Sequence, residues 1–487
     1  MLVGWAFCPF LHATEWGPDT RLTYSGAFSS TWSYGWSVAI SESIVHVVWQ
    51  EDGIHYKRSI DGGLSWEDDD TLTINPADRQ VCIAANSSYV HVVWYRGGSL
   101  MYRRSTTCGS SWDDEVELAN SLTGYKMQPC INTDKINHVH IAFILEAGLV
   151  YDGYYLRSVD AGITWDSPIW LSGPSGGNNG STVLVNVAAD TLGQVHFVYD
   201  SLYFFPSPWH YLKYRRSTDN GVTWQAPVQL ALEFGTGINA TVGSPKITTD
   251  QGDNVHFIWF RYAGMSGNPS RNIRYKRSTN GGTSWESSVS LSSVSDNTTQ
   301  CSITADHEHC VYIVYSDAET SIYFRSSTND GASWQPLELI TTSTADLDFP
   351  HIASYDTNST ILNVVWEDSR DGNNEIYYKR GRIIIGADES ERQTLSDSKL
   401  TVMPNPFFHR TNIRYQMTDN RLQIKIYDAS GRVVKIFNDN LCNLDNFVQS
   451  VCWDGRDDSG QLVPQGIYFV TLKTDKFVEI KKIVLMR

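Results

Sequence analysis

The octapeptide SIDGGLSW, residues 59–66, returns five more times along this chain: STTCGSSW from Ser105, SVDAGITW from Ser158, STDNGVTW from Ser217, STNGGTSW from Ser278 and STNDGASW from Ser327. A short motif recurring over a long period means a chain built of supersecondary units, none of which can bury its apolar face without a neighbour. Each copy follows an aromatic-basic cluster (HYKR, MYRR, YYLR, KYRR, RYKR, IYFR), itself preceded by a β-rich run such as VHVVW at Val45 and Val90 or VHFIW at Val255. Short alternating, β-branched runs bounded by Gly, Asn and Asp read as strands.

A further strand leads each unit, as in VCIAA at Val81, and another follows the tryptophan, as in VQLA. Four antiparallel strands per unit of about 45 to 60 residues is the period of a propeller blade. A seventh unit, NVVWEDSRDGNNEIYYKR from Asn363, repeats two strands but lacks the octapeptide. Its missing last strand has a donor at the other end of the chain: WGPDTRLT, from Trp16, matches the tail of a unit such as WQAPVQLA from Trp224. Closure by both termini leaves no sheet edge at the seam, which favours seven blades over the alternative of six.

The octapeptide lies where the third strand must reverse into the fourth. Its Asp or Asn (Asp61, Asp160, Asp219, Asn280, Asn329) can accept turn N–H groups, its Gly (Gly63, Gly109, Gly162, Gly221, Gly282, Gly331) supplies positive φ, and its Trp (Trp66, Trp112, Trp165, Trp224, Trp285, Trp334) is expected to pack over the turn. Six copies at six angles cannot converge on one substrate, so the motif is a fastener. The pattern S-x-[DN]-x-G-x-[ST]-W resembles the Asp-box, or BNR repeat, of sialidase-like β-propellers, with Thr107 standing for Asp in the second copy.

The resemblance implies the fold, and asks whether the sialidase chemistry comes with it. Such an enzyme holds a sugar carboxylate in an arginine cluster and uses a Tyr nucleophile. The family's first arginine stands on an inner strand directly before an Ile; the corresponding residues here are Ser37, Cys82, Cys130, Asn186, Lys246, Ser302 and His351, none an arginine. What the residues offer is a binding face on the hairpins joining second and third strands: Asp52, Arg96, Tyr203, Phe204, Trp209, Arg261, Asp317, Glu367, Asp368 and Arg370. Large aromatics on loops suit sugar faces or protein partners, or fold down as a satellite core. The acidic segment 367–375 lacks the order of an EF-hand loop and reads as a solvated hairpin tip. The recurrent histidines at VH steps (His46, His91, His140, His196, His256) keep the period and read as strand residues rather than metal ligands; neither a metal nor a cofactor is implied.

The remainder of the chain has another character. Residues 386–398 are polar and without periodicity, as a linker is. From residue 399 the strands shorten around ASG and DSG turns, the pattern of a small β-sandwich. Pro404, Asn405, Pro406, Trp453, Asp454, Gly455, Gly466 and Tyr468 resemble the C-terminal sorting domain of type IX-secreted proteins, an immunoglobulin-like module related to that of hook-capping proteins. That likeness implies export, a secreted or surface location, and the type IX-like secretion machinery as a partner. Residues 1–14 carry an apolar stretch like that of a signal peptide but without its basic region. The reading is therefore all-β: a propeller over 15–385, a linker, and a sandwich over 399–487.

Charge narrows the partners. Lys and Arg number 13 against 9 Asp and Glu from Lys399 onward, leaving −20 of the net −16 on the rest, so nucleic acid is an unsuitable partner. No apolar run reaches the roughly 18 residues of a membrane helix. Cys442 and Cys452 either close a short disulfide loop or remain thiols. Three functions follow: a non-catalytic recognition module for glycans or surface proteins; a sialidase-type exo-acting glycoside hydrolase, in which Arg96, Arg261, Arg271 and Arg370 converge with Asp317 or Glu367; and a structural envelope or adhesion component.

Overall fold

A computed structural model describes residues 12–486 apart from 25–28, 31–36, 174–180, 204–208, 235–242, 251–253, 264–269, 293–297, 307–308, 357–358, 386–399, 404, 406, 408–410, 417–421, 430, 438–447 and 475–477. All described regular structure is β, in two compact units. The unit His12–Ile385 holds seven antiparallel sheets. We number them I (38–71), II (78–118), III (125–170), IV (181–234), V (243–290), VI (298–342) and VII, which comprises 347–385 and both N-terminal strands, His12–Trp16 and Thr20–Arg21. The first strand of each sheet packs on the first strand of the next, and that of VII packs on that of I, so the sheets form a closed ring.

The octapeptide fastens this ring through contacts that cross from sheet to sheet. Within a copy, Ser59 Oγ donates to Asp61 Oδ1 (2.8 Å) and accepts from Gly63 N (2.7 Å), while Asp61 accepts from the N–H of Leu64 and of Ser65 and from Ser65 Oγ (2.6 Å). The Trp does more than cover its own turn, to which Trp224 Nε1 is hydrogen-bonded at Gly221 O (3.2 Å). It stands edge-on to a Tyr in the third strand of the preceding sheet: Trp66 on Tyr378, Trp112 on Tyr56, Trp165 on Tyr102, Trp224 on Tyr155, Trp285 on Tyr214 and Trp334 on Tyr275, with centroids 4.8–5.0 Å apart. The same Tyr hydroxyl dictates the Gly. A Cβ on Gly162, where φ is +81°, would lie 1.8 Å from the oxygen of Tyr102, and the other five copies repeat the clash.

Two further kinds of bond recur at the junctions. The last basic residue of the aromatic-basic cluster reaches forward to the next octapeptide: Arg104 Nη1 donates to Ala161 O (2.8 Å), Arg216 Nη1 to Gly281 O (2.6 Å) and Arg277 Nη1 to Asp330 O (2.7 Å). The middle one reaches back to the preceding sheet's last strand, as Lys57 Nζ does to Leu22 O (2.9 Å) and Lys276 Nζ to Leu230 O (2.8 Å). Behind five of the six Tyr a fully buried His completes the stack, as where His91 Nδ1 meets Tyr102 OH at 2.6 Å and His140 Nδ1 meets Tyr155 OH at 2.7 Å, whereas Tyr378 OH donates to Asn363 Oδ1 (2.7 Å). Burial lowers the pKa of His46, His91 and His140 to about 3, so these rings stay neutral.

The seam closes as the repeat implied. Thr20 and Arg21 pair with Tyr378 and Tyr377, and His12–Trp16 pairs with 381–385, beginning before residue 15. Trp16 stands edge-on to Phe324 of sheet VI at 5.1 Å, taking the place that an octapeptide Trp takes elsewhere. The segment 367–375 is solvated at its tip, Asp371 and Gly372, but not at its flanks. Glu367, Asp368 and Glu375 are at most 4% exposed, because the N-terminal strand covers them: Arg21 Nη2 donates to Glu375 Oε1 (2.6 Å), Ser30 Oγ to Glu367 Oε1 (2.6 Å), and Thr23 Oγ1 to Glu375.

The second unit, described from residue 400, has a three-stranded and a four-stranded sheet. Trp453 and Tyr468 sit edge-on at 5.1 Å in its core beside Phe407. Asn405 bridges to the last strand, donating from Nδ2 to Lys482 O and accepting from Val484 N (2.8 Å), and Trp453 Nε1 caps the turn at Arg456 O. Gly455 takes positive φ (72°) beside Asp454, whose Oδ1 accepts from Arg456 N (3.2 Å), and Gly466 opens the strand Gly466–Thr474. Pro404, Pro406 and Cys442 lie outside the described residues.

Two outcomes test the fastening. Gly162→Ala should cost roughly 2 kcal/mol or more, because both the φ and the Tyr102 contact oppose a Cβ, and Tyr102→Phe should cost about 1 kcal/mol. The double variant should cost less than their sum in denaturant melts, because the hydroxyl that clashes is gone; strict additivity would show that Gly162 and Tyr102 do not oppose each other. The second concerns acid. Burial alone would raise the pKa of Asp160 and Asp219, but hydrogen bonds from the following Thr side chain and N–H and from the leading Ser outweigh it and hold both at about 2. A depressed folded-state pKa contributes stability above the unfolded-state value of about 4 that is lost as pH falls toward 2. Asp160→Asn, which copies Asn280, should therefore fold at neutral pH and lose less stability than the parent between pH 4 and 2.

Candidate functional site

Strand direction gives the ring two unlike ends. One carries the octapeptide turns; the other carries the hairpins joining second and third strands, together with the start of every inner strand. In six sheets the inner strand is interrupted by a register shift just before its axial residue, as between Arg79 and Cys82, Met127 and Cys130, and Asp348 and His351. Gln80, Gln128 and Phe349 have φ near +50° there. A bulge frees one N–H, and the neighbouring sheet takes it up: Gln80 N donates to Gln50 Oε1 and Gln128 N to Gln80 Oε1, both 2.9 Å.

With Ser37, which leads the unshifted inner strand of sheet I, these strands set seven register-equivalent residues around the axis: Ser37, Cys82, Cys130, Asn186, Lys246, Ser302 and His351, none more than 3% exposed. They join consecutive inner strands. Asn186 Nδ2 donates to Cys130 Sγ (3.3 Å), Ile247 N to Asn186 Oδ1 (3.3 Å), and Ile352 N to Ser302 Oγ (3.3 Å). Burial pushes the Cys130 thiol well above its usual range, with the Cys82 hydrogen bond adding to it, and raises Cys301 to about 12. Burial lowers the Lys246 pKa against the pull of the nearby thiols, and it lowers that of His351, which Lys246 depresses further. The axis is thus lined by neutral groups and one desolvated amine.

The residues expected on the hairpin face divide by sheet. Asp52 is the exposed tip of sheet I's hairpin, at φ 50°. Arg261 is exposed on sheet V, paired in register with Asn272, and Asp317 is half-buried at the turn of sheet VI. Tyr203 pairs with Trp209 at the tip of sheet IV; their side chains and Phe204 lie outside the described residues. The other four are structural rather than open to a ligand. Arg96 grips Asp78 with Nε (2.5 Å) and Nη2 (2.8 Å) and also pairs with Glu115. Arg370 binds Asp368 with Nε (2.8 Å) and Asp19 with Nη1 (2.9 Å), and lies over the Tyr377 ring; Glu367 and Asp368 are buried. Burial opposes the charge on Arg370, but Asp368 and Asp19 outweigh it and raise its pKa. The clamp of Arg96, Arg261, Arg271 and Arg370 considered for a hydrolase therefore has two members already committed to carboxylates of the framework.

Sheet III offers residues that the sequence reading passed over. Tyr125 opens its inner strand against the Gly98 turn of sheet II and is 54% exposed; Trp170 ends its outer strand at 44% exposure; Leu149 tips the hairpin between. Tyr151 OH donates to Glu146 (3.0 Å), and Ser172 Oγ joins Trp170 Nε1 to Asp152. Burial raises the pKa of Asp152. Exposed aromatics beside carboxylates and hydroxyls at one end of a sheet make an amphipathic platform. Their only signal in the sequence was that they break the apolar period of the strands.

Residues 176–396 match the BNR repeat-like domain and residues 401–486 match the secretion system C-terminal sorting domain. No curated protein matches the chain. Among solved structures, it is similar to a polysaccharide lyase, an ulvan lyase bound to a GlcA–Rha3S unit (11% identity, TM-score 0.48, 74% of this chain and 94% of the other). It is also similar to an α-L-arabinofuranosidase of Fusarium graminearum (11%, 0.40, 61% and 89%) and to a sialidase of Streptococcus pneumoniae (10%, 0.38, 84% and 92%). No helix among the described residues is long and apolar enough to cross a membrane.

Arg370→Ala would leave the buried Asp368 carboxylate without its guanidinium, although Ser343 Oγ and Trp366 Nε1 still donate to it, and a loss of about 3 kcal/mol in stability is expected. Chemical denaturation measures it; an unchanged midpoint would show that the ion pair does not hold the seam.

Proposed function

We propose that this chain, an exported protein with a sialidase-like BNR propeller and a secretion system sorting domain, recognises glycans or surface proteins with the hairpin end of its propeller and does not turn them over. The observation that carries the reading is the composition of the axis. A clamp for a sugar carboxylate needs guanidinium groups converging there, and the seven inner-strand positions hold Ser37, Cys82, Cys130, Asn186, Lys246, Ser302 and His351 in packed contact. Arg96 and Arg370 are neutralised by framework carboxylates. Recognition asks less of a site than catalysis: aromatic area that stacks on a sugar face and polar groups that fix its orientation. Tyr125, Trp170, Glu146 and Asp152 of sheet III supply both, and the hairpins of sheets V and VI add Arg261 and Asp317.

The test pairs a glycan array with turnover assays on sialosides, arabinofuranosides and uronate-containing polysaccharides. Binding without turnover is expected, weakened about five- to tenfold by Tyr125→Ala or Trp170→Ala, the loss that a stacked ring of this kind supplies. Product release above that of an Arg261→Ala, Arg271→Ala double variant would overturn the reading in favour of a hydrolase, and silence in both assays would favour a structural envelope component.

A further inference from the structure

We propose that Asp134, His138 and His140 form a three-ligand site for a divalent transition metal of the Zn²⁺ class at the octapeptide end of sheet III, remote from the hairpin end. One ligand atom from each residue lies within 4.8 Å of the others, and two imidazoles with one carboxylate are a donor set suited to Zn²⁺ with a position left open.

The local fold prepares each donor. Asp134 follows the inner strand Tyr125–Thr133, and its Oδ1 accepts the N–H groups of Ile136 (3.0 Å) and His138 (2.8 Å), which fixes the carboxylate and turns Oδ2 toward the rings. His138 Nδ1 lies 2.8 Å from that Oδ2. His140 is fully buried; its Nδ1 is engaged by Tyr155 OH, and its Nε2 has no hydrogen-bond partner. With the Nδ1 proton directed to Tyr155, Nε2 presents a lone pair, the outer hydrogen bond by which proteins orient a metal-bound imidazole. The two rings are nearly perpendicular, at 88°, so their nitrogens approach a common point from different directions. Arg157 is the nearby cation, and it is spent on Asp166 and on Asn220 O. A cavity of about 170 Å³ between the turns of sheets III and IV borders Asp134 and gives solvent an approach.

The repeat supplies an internal control. Sheets IV and V have the same carboxylate and the same buried His, but the intervening position holds an amide: Gln194 Nε2 donates to Asp190 Oδ2 (2.8 Å) and Asn254 Nδ2 to Asp250 Oδ2 (2.7 Å). A His Nε2 without a hydrogen-bond partner is therefore not special in itself, since His91 of sheet II shares it. What singles out sheet III is that the position between Asp and His carries a second ligand nitrogen where its counterparts carry a donor that cannot bind a metal.

The experiment uses the full chain without a polyhistidine tag, stripped of metal. Titration with Zn²⁺ by calorimetry should show one tight site and a raised melting temperature, and Co²⁺ should give the visible absorption of a low-coordinate nitrogen–oxygen site. His138→Asn, which copies Asn254, and His138→Gln, which copies Gln194, should fold as the parent does and bind at least about tenfold more weakly, with the melting shift gone. Equal affinity in parent and variants, or a parent that takes up neither metal, would overturn the proposal.

Discussion

The contact between a glycine and the tyrosine hydroxyl of the preceding sheet is the constraint on which the ring depends. It brings successive sheets so close at the octapeptide that only hydrogen fits at the Gly, and it holds them there through the Trp edge, the Arg bond to the turn carbonyl and the His behind the Tyr. Each sheet is thus both clasp and catch. An aromatic edge-to-face pair contributes about 0.5–1.5 kcal/mol beyond burial, so no single clasp secures the ring; repetition does. The exception follows the same logic. Sheet VII has no octapeptide, and sheet VI, which would have to receive it, has Phe324 where others have Tyr and Ser326 where others have Arg. The hydroxyl and guanidinium are missing where they would have nothing to bind, and Trp16 fills the remaining aromatic slot.

Within sheet VII, the N-terminal segment is held to the rest of the sheet by charge. Arg370 spans from Asp368 to Asp19, Lys379 also reaches Asp19 (2.8 Å), and Arg21 spans Asp371 and Glu375. The acidic segment of sheet VII and the basic and hydroxyl groups of the N-terminal segment are complementary halves of one interface. The joint is made by chain segments far apart in sequence, so its stability includes the entropy of bringing them together. A ring sealed in this way presents no unpaired sheet edge at the seam.

The architecture was legible because its determinants recur. Six octapeptides in register fix the unit length, and the match of WGPDTRLT to a unit's tail shows where the two ends meet. Two local readings were incomplete for one reason: the partner lies in another unit. The Tyr that the Trp meets is some fifty residues away from it, and the segment that covers the flanks of 367–375 is at the other end of the chain. The same blindness affects the site. Arg96 and Arg370 look like ligand-binding arginines until Asp78 and Asp19 are seen beside them, whereas Tyr125 and Trp170 carried no motif at all. The axial residues were found correctly in register, because register is periodic, but their burial and mutual contacts are properties of the closed ring.

A repeat that supplies seven copies of one environment can build a scaffold but cannot by repetition build a single site. Whatever this protein binds must be met by residues at which the period breaks. Lys246 is a break of this kind, an amine where its equivalents are thiols, hydroxyls, an amide and an imidazole, and so is His138, a ligand nitrogen where its equivalents in sheets IV and V are amides. Each sits in a framework whose geometry six other sheets reproduce, so the surroundings of each can be read from its siblings and its chemistry from the difference. The hairpin loops vary most from sheet to sheet while the clasps at the opposite end vary least. The recognition proposed for the hairpin end fits this division, because the octapeptide end holds the ring together without it.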